Sequence, residues 1–289
     1  MKFSLILATY NTPENYLIKF INSIINQSFQ DYELLIIDQN KDDRVLNILY
    51  KYDSLKYRYI KTNIVGLSHA RNIGLNEVSG DIISFPDDDC SYPDILLSDI
   101  NEYLKDNEHY DFISLKTLDE KTNEQLSYTP FLKPTIINKT NIFHSVTSIG
   151  LFIRKRNMTT LPQFDEKFGL GSQYFSSEEM DYVHHLILDG YDGIYLPYFF
   201  VFHPKLPELF EPNVLYKIKN NSLGHGAYYK KHFIKNGMLF KWIAISTIII
   251  RPLGGLFLSI LSFNKMNCRK YYYIFIGRLV GFIRYNNDK

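Results

Sequence analysis

Cysteine is scarce in this sequence. Only two of the 289 residues are cysteines, Cys90 and Cys268, and they lie far apart in the chain. Such a pair forms neither a disulfide framework nor a clustered thiolate site for structural zinc. No signal peptide is expected at the start of this sequence, because the apolar run that starts at Phe3 is short and continues directly into a predicted strand. We therefore expect a reduced, cytosolic protein.

Two glycine motifs that commonly hold nucleotides are missing as well. The sequence contains neither the Gly-x-Gly-x-x-Gly pattern of dinucleotide-binding folds nor a P-loop. It does not lack the residues for a core, since 45% of them are hydrophobic and 22% are charged. This composition excludes an intrinsically disordered protein, and the length fits either one large domain or a domain with an appendage.

Net charge is nearly absent, at +1, but the two ends of the chain differ strongly. Residues 230–289 contain eleven lysines and arginines and one acid, which gives +10, so residues 1–229 carry −9. We therefore expect a globular domain in residues 1–229 and a separate basic tail in residues 230–289. Such a tail favours an acidic partner, either an anionic membrane surface or a nucleic acid.

Buried strands and amphipathic helices alternate over the first third of the chain. The predicted strands are Phe3–Ala8, Tyr32–Asp38, Tyr57–Ile60 and Gly80–Phe85. This order is typical of parallel βαβ units, in which ligands bind at the carboxyl edge of the sheet. We expect the loops after the first, second and fourth strands to meet at that edge.

Three consecutive carboxylates follow the fourth strand, in the segment FPDDDC at residues 85–90. Pro86 lacks an amide hydrogen and therefore ends the strand. The aspartates repel one another unless a cation or solvent separates them. Oxygen ligands suit a hard divalent ion such as Mn²⁺ or Mg²⁺, which in turn binds a diphosphate. A solvated acidic turn is the alternative.

Four segments, in this order and spacing, resemble the family 2 glycosyltransferases of the GT-A fold. They are LILATYNT, YELLIIDQN, GLSHARNIGL and GDIISFPDDDCSYPD, and the resemblance covers about residues 3–205. It implies an α/β, GT-A-like (Rossmann-like) fold, with a mixed, mainly parallel sheet flanked by helices. It also implies an inverting, metal-dependent transferase that takes a sugar from a nucleotide-sugar donor.

The resemblance assigns a donor site. The residues that it implies for nucleotide-sugar binding are Thr9, Tyr10, Asn11, Asp38, Arg71, Asp87 and Asp88. Thr9 and Tyr10 are expected to line the base and ribose pocket. Asp38 is expected to accept the imide hydrogen of uracil or thymine, which favours a UDP- or dTDP-sugar, and Arg71 to approach the base or the diphosphate.

Other interpretations of these residues stay open. The alternatives are a surface helix charge for Arg71, simple packing for Tyr10 and a helix N-cap for Asp38. The sequence also departs from the family, because Gln39 and Asn40 follow Asp38 where many members have acids.

Metal ligands are implied by the family's Asp-x-Asp motif, which Asp87 and Asp89 match. Asp89 is expected to bind Mn²⁺ or Mg²⁺ directly, and Asp87 to contact the ribose or the metal. His203 follows an aromatic strand, where some GT-A enzymes have a further metal or phosphate contact. A structural role is the alternative for a lone histidine beside a proline.

The general base is implied by the segment GSQYFSSEEMDYVHHLILDGY, which resembles the family's Glu-Asp-x-Asp segment. Glu179 is the expected base and Glu178 and Asp181 its neighbours, although the family more often has Asp at the position of Glu179. A flanking carboxylate raises the pKa of such a base and strengthens it. The alternative is that these acids only stabilise a helix N-terminus.

The basic tail mixes apolar and charged residues. Its apolar run from Trp242 to Ile250 has nine residues, whereas a spanning helix needs about 20. Lys241 precedes this run, and Arg251, Pro252, Gly254 and Gly255 interrupt it. We expect interfacial helices on an anionic leaflet, held by aromatic anchors and basic residues. A helical lid, a dimer contact and a membrane-spanning hairpin are the alternatives, and the aliphatic runs between the charges argue against nucleic acid.

Together these patterns predict a cytoplasmic enzyme that is peripheral on the inner face of the cell membrane. Its GT-A catalytic domain is expected in residues 1–229 and its membrane-associating helical tail in residues 230–289. The expected acceptor is a hydroxyl of a lipid-linked or surface-polysaccharide glycan, and a homo-oligomer is left open.

Two other functions are alternatives. A nucleotidyltransferase that acts on sugar phosphates is disfavoured, because residues 9–14 contain no glycine and no basic residue. A non-catalytic, membrane-attached sugar-binding protein is the second alternative.

Overall fold

The computed structural model describes residues 1–126, 129–156, 158, 160–205, 212–234 and 236–286. The chain forms two compact units. The first, here called the sheet unit, comprises Met1–Phe164 and Glu179–Lys205, and the second, the helical unit, comprises Asp165–Glu178 and Leu206–Lys289. The functional division that we expect between residues 229 and 230 stays a prediction.

One mixed sheet of eight strands forms the centre of the sheet unit. The strands are β1 (Phe3–Thr9), β2 (Tyr32–Asp38), β3 (Tyr57–Lys61), β4 (Ile82–Ser84), β5 (Phe112–Leu118), β6 (Thr135–Ile136), β7 (Leu151–Arg154) and β8 (Gly193–Phe202). Their order across the sheet is β3-β2-β1-β4-β7-β5-β8-β6. The first four strands are parallel, as are β5 and β8, whereas β7 is antiparallel to β4 and β5, and β6 to β8.

Helices connect these strands. They are α1 (Glu14–Ile25), α2 (Arg44–Leu49), α3 (Leu67–Leu75), α4 (Leu96–Asp106), α5 (Ile142–Ser145) and α6 (Glu178–Leu188), with a 3₁₀ turn at Ser148–Gly150. Every residue of β1 and β2 is buried, as is typical of parallel strands whose two faces are both covered. The predicted α/β fold with a mixed, mainly parallel sheet is confirmed.

The described residues of the helical unit form four helices and a π-helical turn. They are α7 (Pro212–His232), α8 (Met238–Ile245), the π turn (Ser246–Ile250), α9 (Arg251–Leu261) and α10 (Lys265–Arg284). Glycines bring α7 and α10 into close contact. A Cβ added at Gly281 would lie 2.0 Å from the carbonyl oxygen of Leu223, and one at Gly226 would lie 2.0 Å from that of Arg278. Gly277 and Gly281 thus form the small-residue face that lets two helix backbones approach.

The backbone stays helical from α8 through the π turn into α9. Among the described residues, Met238–Leu261 is the one stretch that is long and apolar enough to cross a membrane, by its length of 24 residues and its composition. Pro252 interrupts the apolar run without ending the helix. Because proline lacks an amide hydrogen and clashes with the preceding turn, the wider π turn before it accommodates the ring.

Apolar side chains of this stretch are exposed to a large extent. The exposed ones are Met238, Leu239, Trp242, Ile245, Ile249, Ile250, Leu253, Phe257, Leu258, Ile260 and Leu261. Eleven exposed large apolar side chains on one helical stretch indicate an interaction site.

Candidate active site

Three strand ends meet at one edge of the sheet. Thr9 at the end of β1 pairs with Asp38 at the end of β2. Ala8 forms a parallel bridge with Asp87, which lies just beyond β4. The predicted convergence of these loops is therefore confirmed.

Asp38 is the last residue of β2 and is fully buried. Its Oδ1 accepts hydrogen bonds from the backbone and side-chain amides of Asn40, at 2.8 and 2.7 Å, and its Oδ2 accepts one from the Tyr59 hydroxyl at 2.7 Å. Asn40 also accepts a hydrogen bond from the Asn11 amide at 2.7 Å, which ties the β1 loop to the β2 loop. The helix N-cap alternative for Asp38 is wrong, because Asp43 holds the N-cap position of α2.

Gln39 and Asn40, the two residues that depart from the family pattern, each form a hydrogen bond to another loop. Gln39 accepts a hydrogen bond from the Gly66 amide at 2.7 Å, just before α3. Asn40 donates to Asp38 and accepts from Asn11 at the same time. A carboxylate at position 40 has no hydrogen to donate to Asp38, so asparagine is the residue that connects these loops.

Arg71 lies in α3 and is almost fully buried, so the surface-charge alternative is wrong. Its Nη2 is 3.0 Å from Oδ1 of Asp87. The guanidinium lies 5.8 Å from the ring centre of Phe85 and 5.5 Å from that of Phe164, a distance at which a cation is attracted to an aromatic ring. Burial raises the pKa of Asp87, and the charge of Arg71 opposes that rise.

Asn72, the next residue in α3, is a site residue that the sequence reasoning missed. Its side-chain oxygen accepts from the Phe164 amide at 2.7 Å, and its Nδ2 donates to the Phe164 carbonyl at 3.0 Å. These bonds fix Phe164 beside Arg71. The available signal was an asparagine inside a helix, where its propensity is low and its side chain competes for backbone groups.

Asp88 binds the β1 loop. Thr12 donates a hydrogen bond from its hydroxyl to Oδ2 of Asp88, and the Thr9 side chain contributes a second one. Burial raises the pKa of Asp88 to about 6, against these hydrogen bonds. Tyr10 in the same loop is 46% exposed, so its ring is not packed into the core, and Asn11 has a left-handed backbone with a φ of 55°.

His203 reaches the aspartates through a second pairing of the chain. Ser91 and Phe202 form an antiparallel bridge, which places the end of β8 beside the aspartate segment. Nε2 of His203 is 3.3 Å from Oδ1 of Asp89, and its Nδ1 donates to the Pro204 carbonyl at 2.8 Å. Burial disfavours the imidazolium, but the hydrogen bond and charge of Asp89 outweigh it and raise the pKa of His203 to about 9.

Asp87, Asp89 and His203 form a candidate metal site. One ligand atom from each lies within 4.8 Å of the other two. Two carboxylates and an imidazole are a donor set that divalent ions such as Mn²⁺ accept. Because Nδ1 donates to a backbone carbonyl, Nε2 is the nitrogen that could bind a cation, which would displace its proton. The residues therefore fit a divalent ion.

The helix with the predicted base is anchored to the aspartate segment by aromatic rings. Tyr182 of α6 stacks on Phe164 at 4.4 Å between ring centres and meets Phe85 edge-on at 5.9 Å. Glu179 precedes Tyr182 by three residues and therefore shares its side of the helix. Of the three predicted acids, Glu178 and Asp181 are buried, whereas Glu179 is half-buried.

Comparison with known proteins agrees with this architecture. Residues 4–159, more than half of the chain, match the family described as Glycosyl transferase family 2. The chain therefore belongs to the family 2 glycosyltransferases. Its membership favours glycosyl transfer over the two alternative functions that the sequence left open.

Several similar proteins are bacterial and are named as glycosyltransferases. The chain is 35% identical over 111 residues to glycosyltransferase GlyA of Streptococcus pneumoniae. This match covers 36% of this chain and 16% of GlyA. It is 32% identical over 121 residues to poly(ribitol-phosphate) beta-N-acetylglucosaminyltransferase TarS of Staphylococcus aureus, covering 40% and 21%. It is 30% identical over 175 residues to the GalNAc(5)-diNAcBac-PP-undecaprenol beta-1,3-glucosyltransferase of Campylobacter jejuni, covering 58% and 56%. The matches thus span less than two thirds of each of these relatives.

Solved structures with the same fold cover nearly the whole chain. S. aureus TarS has a TM-score of 0.59 at 17% identity, over 96% of this chain and 55% of that one. Mannosyltransferase PcManGT from Pyrobaculum calidifontis, in complex with GDP-Man and Mn²⁺, has a TM-score of 0.65 at 14% identity, over 98% and 87%. At these identities the likeness establishes the GT-A fold.

Proposed function

We propose that this chain is an inverting, metal-dependent glycosyltransferase that uses a UDP- or dTDP-sugar. The observation that carries the proposal is the cluster of Asp87, Asp89 and His203 at the sheet edge, beside the buried Arg71. The structure of TarS with UDP-GlcNAc supports the choice of nucleotide, and that of PcManGT with GDP-Man and Mn²⁺ supports the divalent ion.

The nucleotide is proposed to lie over the ends of β1 and β2. Tyr10 offers an exposed ring for the base or ribose, beside Thr9 and Asn11. Asp38 accepts two hydrogen bonds from Asn40 at Oδ1 and one from Tyr59 at Oδ2, which leaves one lone pair of Oδ2. It therefore retains the capacity to accept the imide hydrogen of uracil or thymine.

The diphosphate is proposed to lie over the aspartate segment. Asp89, Asp87 and Nε2 of His203 would hold the divalent ion, and Asp88 stays bound to the β1 loop through Thr12. When bound, Mn²⁺ or Mg²⁺ neutralises the charge that develops on the leaving nucleoside diphosphate. Arg71 keeps Asp87 in position and places a positive charge next to it.

Glu179 is the proposed general base. Its carboxylate would accept the proton of the acceptor hydroxyl as the oxygen attacks the anomeric carbon from the side opposite the diphosphate, which inverts the configuration. The greater exposure of Glu179 relative to Glu178 and Asp181 supports this choice, because the base must reach a hydroxyl that enters from solvent.

The acceptor is proposed to be a lipid-linked or surface-polysaccharide glycan at the cytoplasmic face of the cell membrane. The names of the TarS and C. jejuni relatives support this class of acceptor. The helical unit supports a peripheral attachment, because it combines exposed apolar side chains with a large excess of basic residues.

Asp89→Asn tests the proposal. Sugar transfer or donor hydrolysis would be measured with a panel of UDP-, dTDP- and GDP-sugars and Mn²⁺, with and without chelator. We expect the rate to fall by about three orders of magnitude, since charge stabilisation by a metal supplies several kcal/mol. Asp53→Asn is the matched control, because Asp53 is exposed outside the site. A folded Asp89→Asn variant that retains metal-dependent turnover would refute the metal assignment.

A further inference from the structure

Among the described residues, none of the four arginines of the helical unit forms an ion pair with an acid, and two of the four, Arg251 and Arg278, lie near each other. Arg251 lies in α9 and Arg278 in α10. Arg278 is half-buried and Arg251 is exposed. Burial lowers the pKa of Arg278, and the nearby charge of Arg251 lowers it further. Two like charges held near each other at a partly buried position are costly unless an anion joins them.

Arg278 has one structural role, which uses only part of its guanidinium. In the π turn the Arg251 amide donates to the Ser246 carbonyl, and Pro252 has no amide hydrogen for the next carbonyl, that of Thr247. Nη1 of Arg278 donates to this Thr247 carbonyl at 2.7 Å. Nε has no hydrogen-bond partner among the described residues. The hydrogen bond to the Thr247 carbonyl uses one donor of Arg278. It therefore explains neither the position of Arg251 nor the lack of an acid near the two arginines among the described residues.

A tyrosine hydroxyl lies near both arginines, and an imidazole lies near Arg278. The Tyr229 hydroxyl shares a hydrogen bond with the Thr247 side chain and feels the charge of both arginines. Burial and the charge of Arg278 lower the pKa of His225 to about 3, so this imidazole is neutral near pH 7. Within the described residues, the site thus combines two guanidinium groups with a hydroxyl and no carboxylate.

A phosphate ester has the chemistry that matches these groups. A guanidinium donates two parallel hydrogen bonds to phosphate oxygens, and two of them balance the charge of one phosphate. The same helical stretch exposes Trp242 and Phe257, side chains that enter the boundary between head groups and acyl chains. A phosphate at that boundary is the head group of a lipid.

We propose that Arg251 and Arg278, with the Tyr229 hydroxyl, form a binding site for the phosphate ester of an anionic phospholipid. The proposal goes beyond the transfer reaction. It rests on the proposed membrane attachment only for the source of the phosphate, since a soluble phosphate ester has the same chemistry.

Vesicle binding by the full-length protein tests the lipid source. The fluorescence of Trp242, the single tryptophan of the chain, would report binding to vesicles of phosphatidylglycerol and phosphatidylcholine or of phosphatidylcholine alone. Arg269→Gln is the matched control, because Arg269 is an exposed basic residue of α10. Loss of one diffuse surface charge costs about fivefold in affinity. We expect Arg251→Gln and Arg278→Gln each to cost several times more than this control, and to keep that difference in 0.5 M salt.

A thermal-shift series with glycerol 3-phosphate tests the soluble source. A ligand that binds only the folded chain raises the melting temperature, so a rise in the wild type that Arg251→Gln abolishes would support the site even if no vesicle binds. Since Arg251 is exposed, this variant decides the outcome if Arg278→Gln fails to fold. Equal weakening of vesicle binding by all three substitutions, with no shift by glycerol 3-phosphate, would overturn the proposal. Neither measurement uses a donor sugar, so the result is independent of the proposed transfer reaction.

Discussion

The two units of this chain differ in which side chains are buried and which are exposed. In the sheet unit, charged and amide groups near the candidate site are buried and held by partners distant in sequence, as Arg71 is by Asp87 and Asn72 by Phe164. In the helical unit, large apolar side chains such as Trp242 and Phe257 are exposed. Fixed polar groups fit a small ligand of defined shape, whereas an exposed apolar and basic surface fits an extended partner.

The two units also differ in the contacts that hold their segments together. The sheet unit joins its site by side-chain hydrogen bonds across loops, for example from the Asn11 amide to Asn40. The helical unit joins α7 to α10 by glycines, with no side chain between the backbones at Gly281. Substitutions should therefore affect catalysis in the first unit and helix packing in the second.

The largest effect that we expect within this comparison is that of Glu179→Gln. Loss of the proposed base should lower kcat by about 10³-fold and leave the KM for the donor nearly unchanged, because the amide keeps the size of the side chain. Initial rates at varied donor concentration measure this. Asp99→Asn is the control, since Asp99 is an acid in the first turn of α4 and should have no effect on kcat.

A different split of the kinetic constants would change the assignment. If Glu179→Gln raised KM and left kcat intact, Glu179 would be a binding residue and the base would be Asp181 or Glu178. The pattern would then place a buried acid in the catalytic role and contradict our use of exposure to choose among the three.

Local patterns in the sequence were sufficient for the main part of the fold. The apolar runs of β1 and β2, and the proline that ends the strand before Asp87, are short-range signals that predict strands and their ends. Parallel βαβ order then predicts that Thr9, Asp38 and Asp87 meet, and the strand pairing agrees. The burial of Arg71 was not predictable, because an arginine in a short helix is usually at the surface.

The parts of the site that could not be predicted depend on contacts between residues far apart in the sequence. His203 meets Asp89 because Ser91 and Phe202 form a bridge, and no local pattern specifies which of two distant segments will pair. The role of Asn72 similarly depends on Phe164, which is 92 residues away. In the tail, the continuity of the helix past Pro252 depends on a π turn that composition does not indicate.

A smaller effect is expected at the glycine contact of the helical unit. Gly281→Ala would place a Cβ 2.0 Å from the Leu223 carbonyl oxygen, and the helices must separate, which costs about 1–3 kcal/mol. Gly254→Ala is the matched control in α9, since its Cβ meets no atom within 4 Å and alanine favours a helix by up to about 1 kcal/mol. Urea unfolding followed by Trp242 fluorescence measures both. Equal stability of the two variants would contradict the close packing of α7 on α10.

The smallest effect that we expect concerns Glu33, at the opposite end of β2 from Asp38. Its Oε1 accepts hydrogen bonds from the Ser4 hydroxyl at 2.5 Å and the Ser79 amide at 2.7 Å. Burial alone would raise the pKa of Glu33, but these bonds and the charge of Lys2 lower it from 4.5 to about 2.

A carboxylate whose pKa is lower in the folded state stabilises the fold above its unfolded pKa and loses that contribution as the pH falls through the folded value. Glu33→Gln keeps an oxygen for both hydrogen bonds and removes the charge. Its destabilisation should therefore be about 1–2 kcal/mol at pH 6 and should shrink as the pH falls from 4.5 toward 2. Urea unfolding of both proteins across that range gives the difference, and Glu77→Gln, an exposed acid, should change stability by only a few tenths of a kcal/mol. A difference for Glu33→Gln that stays constant with pH would show that the side chain acts through its shape, and the electrostatic account of this end of the sheet would then be wrong.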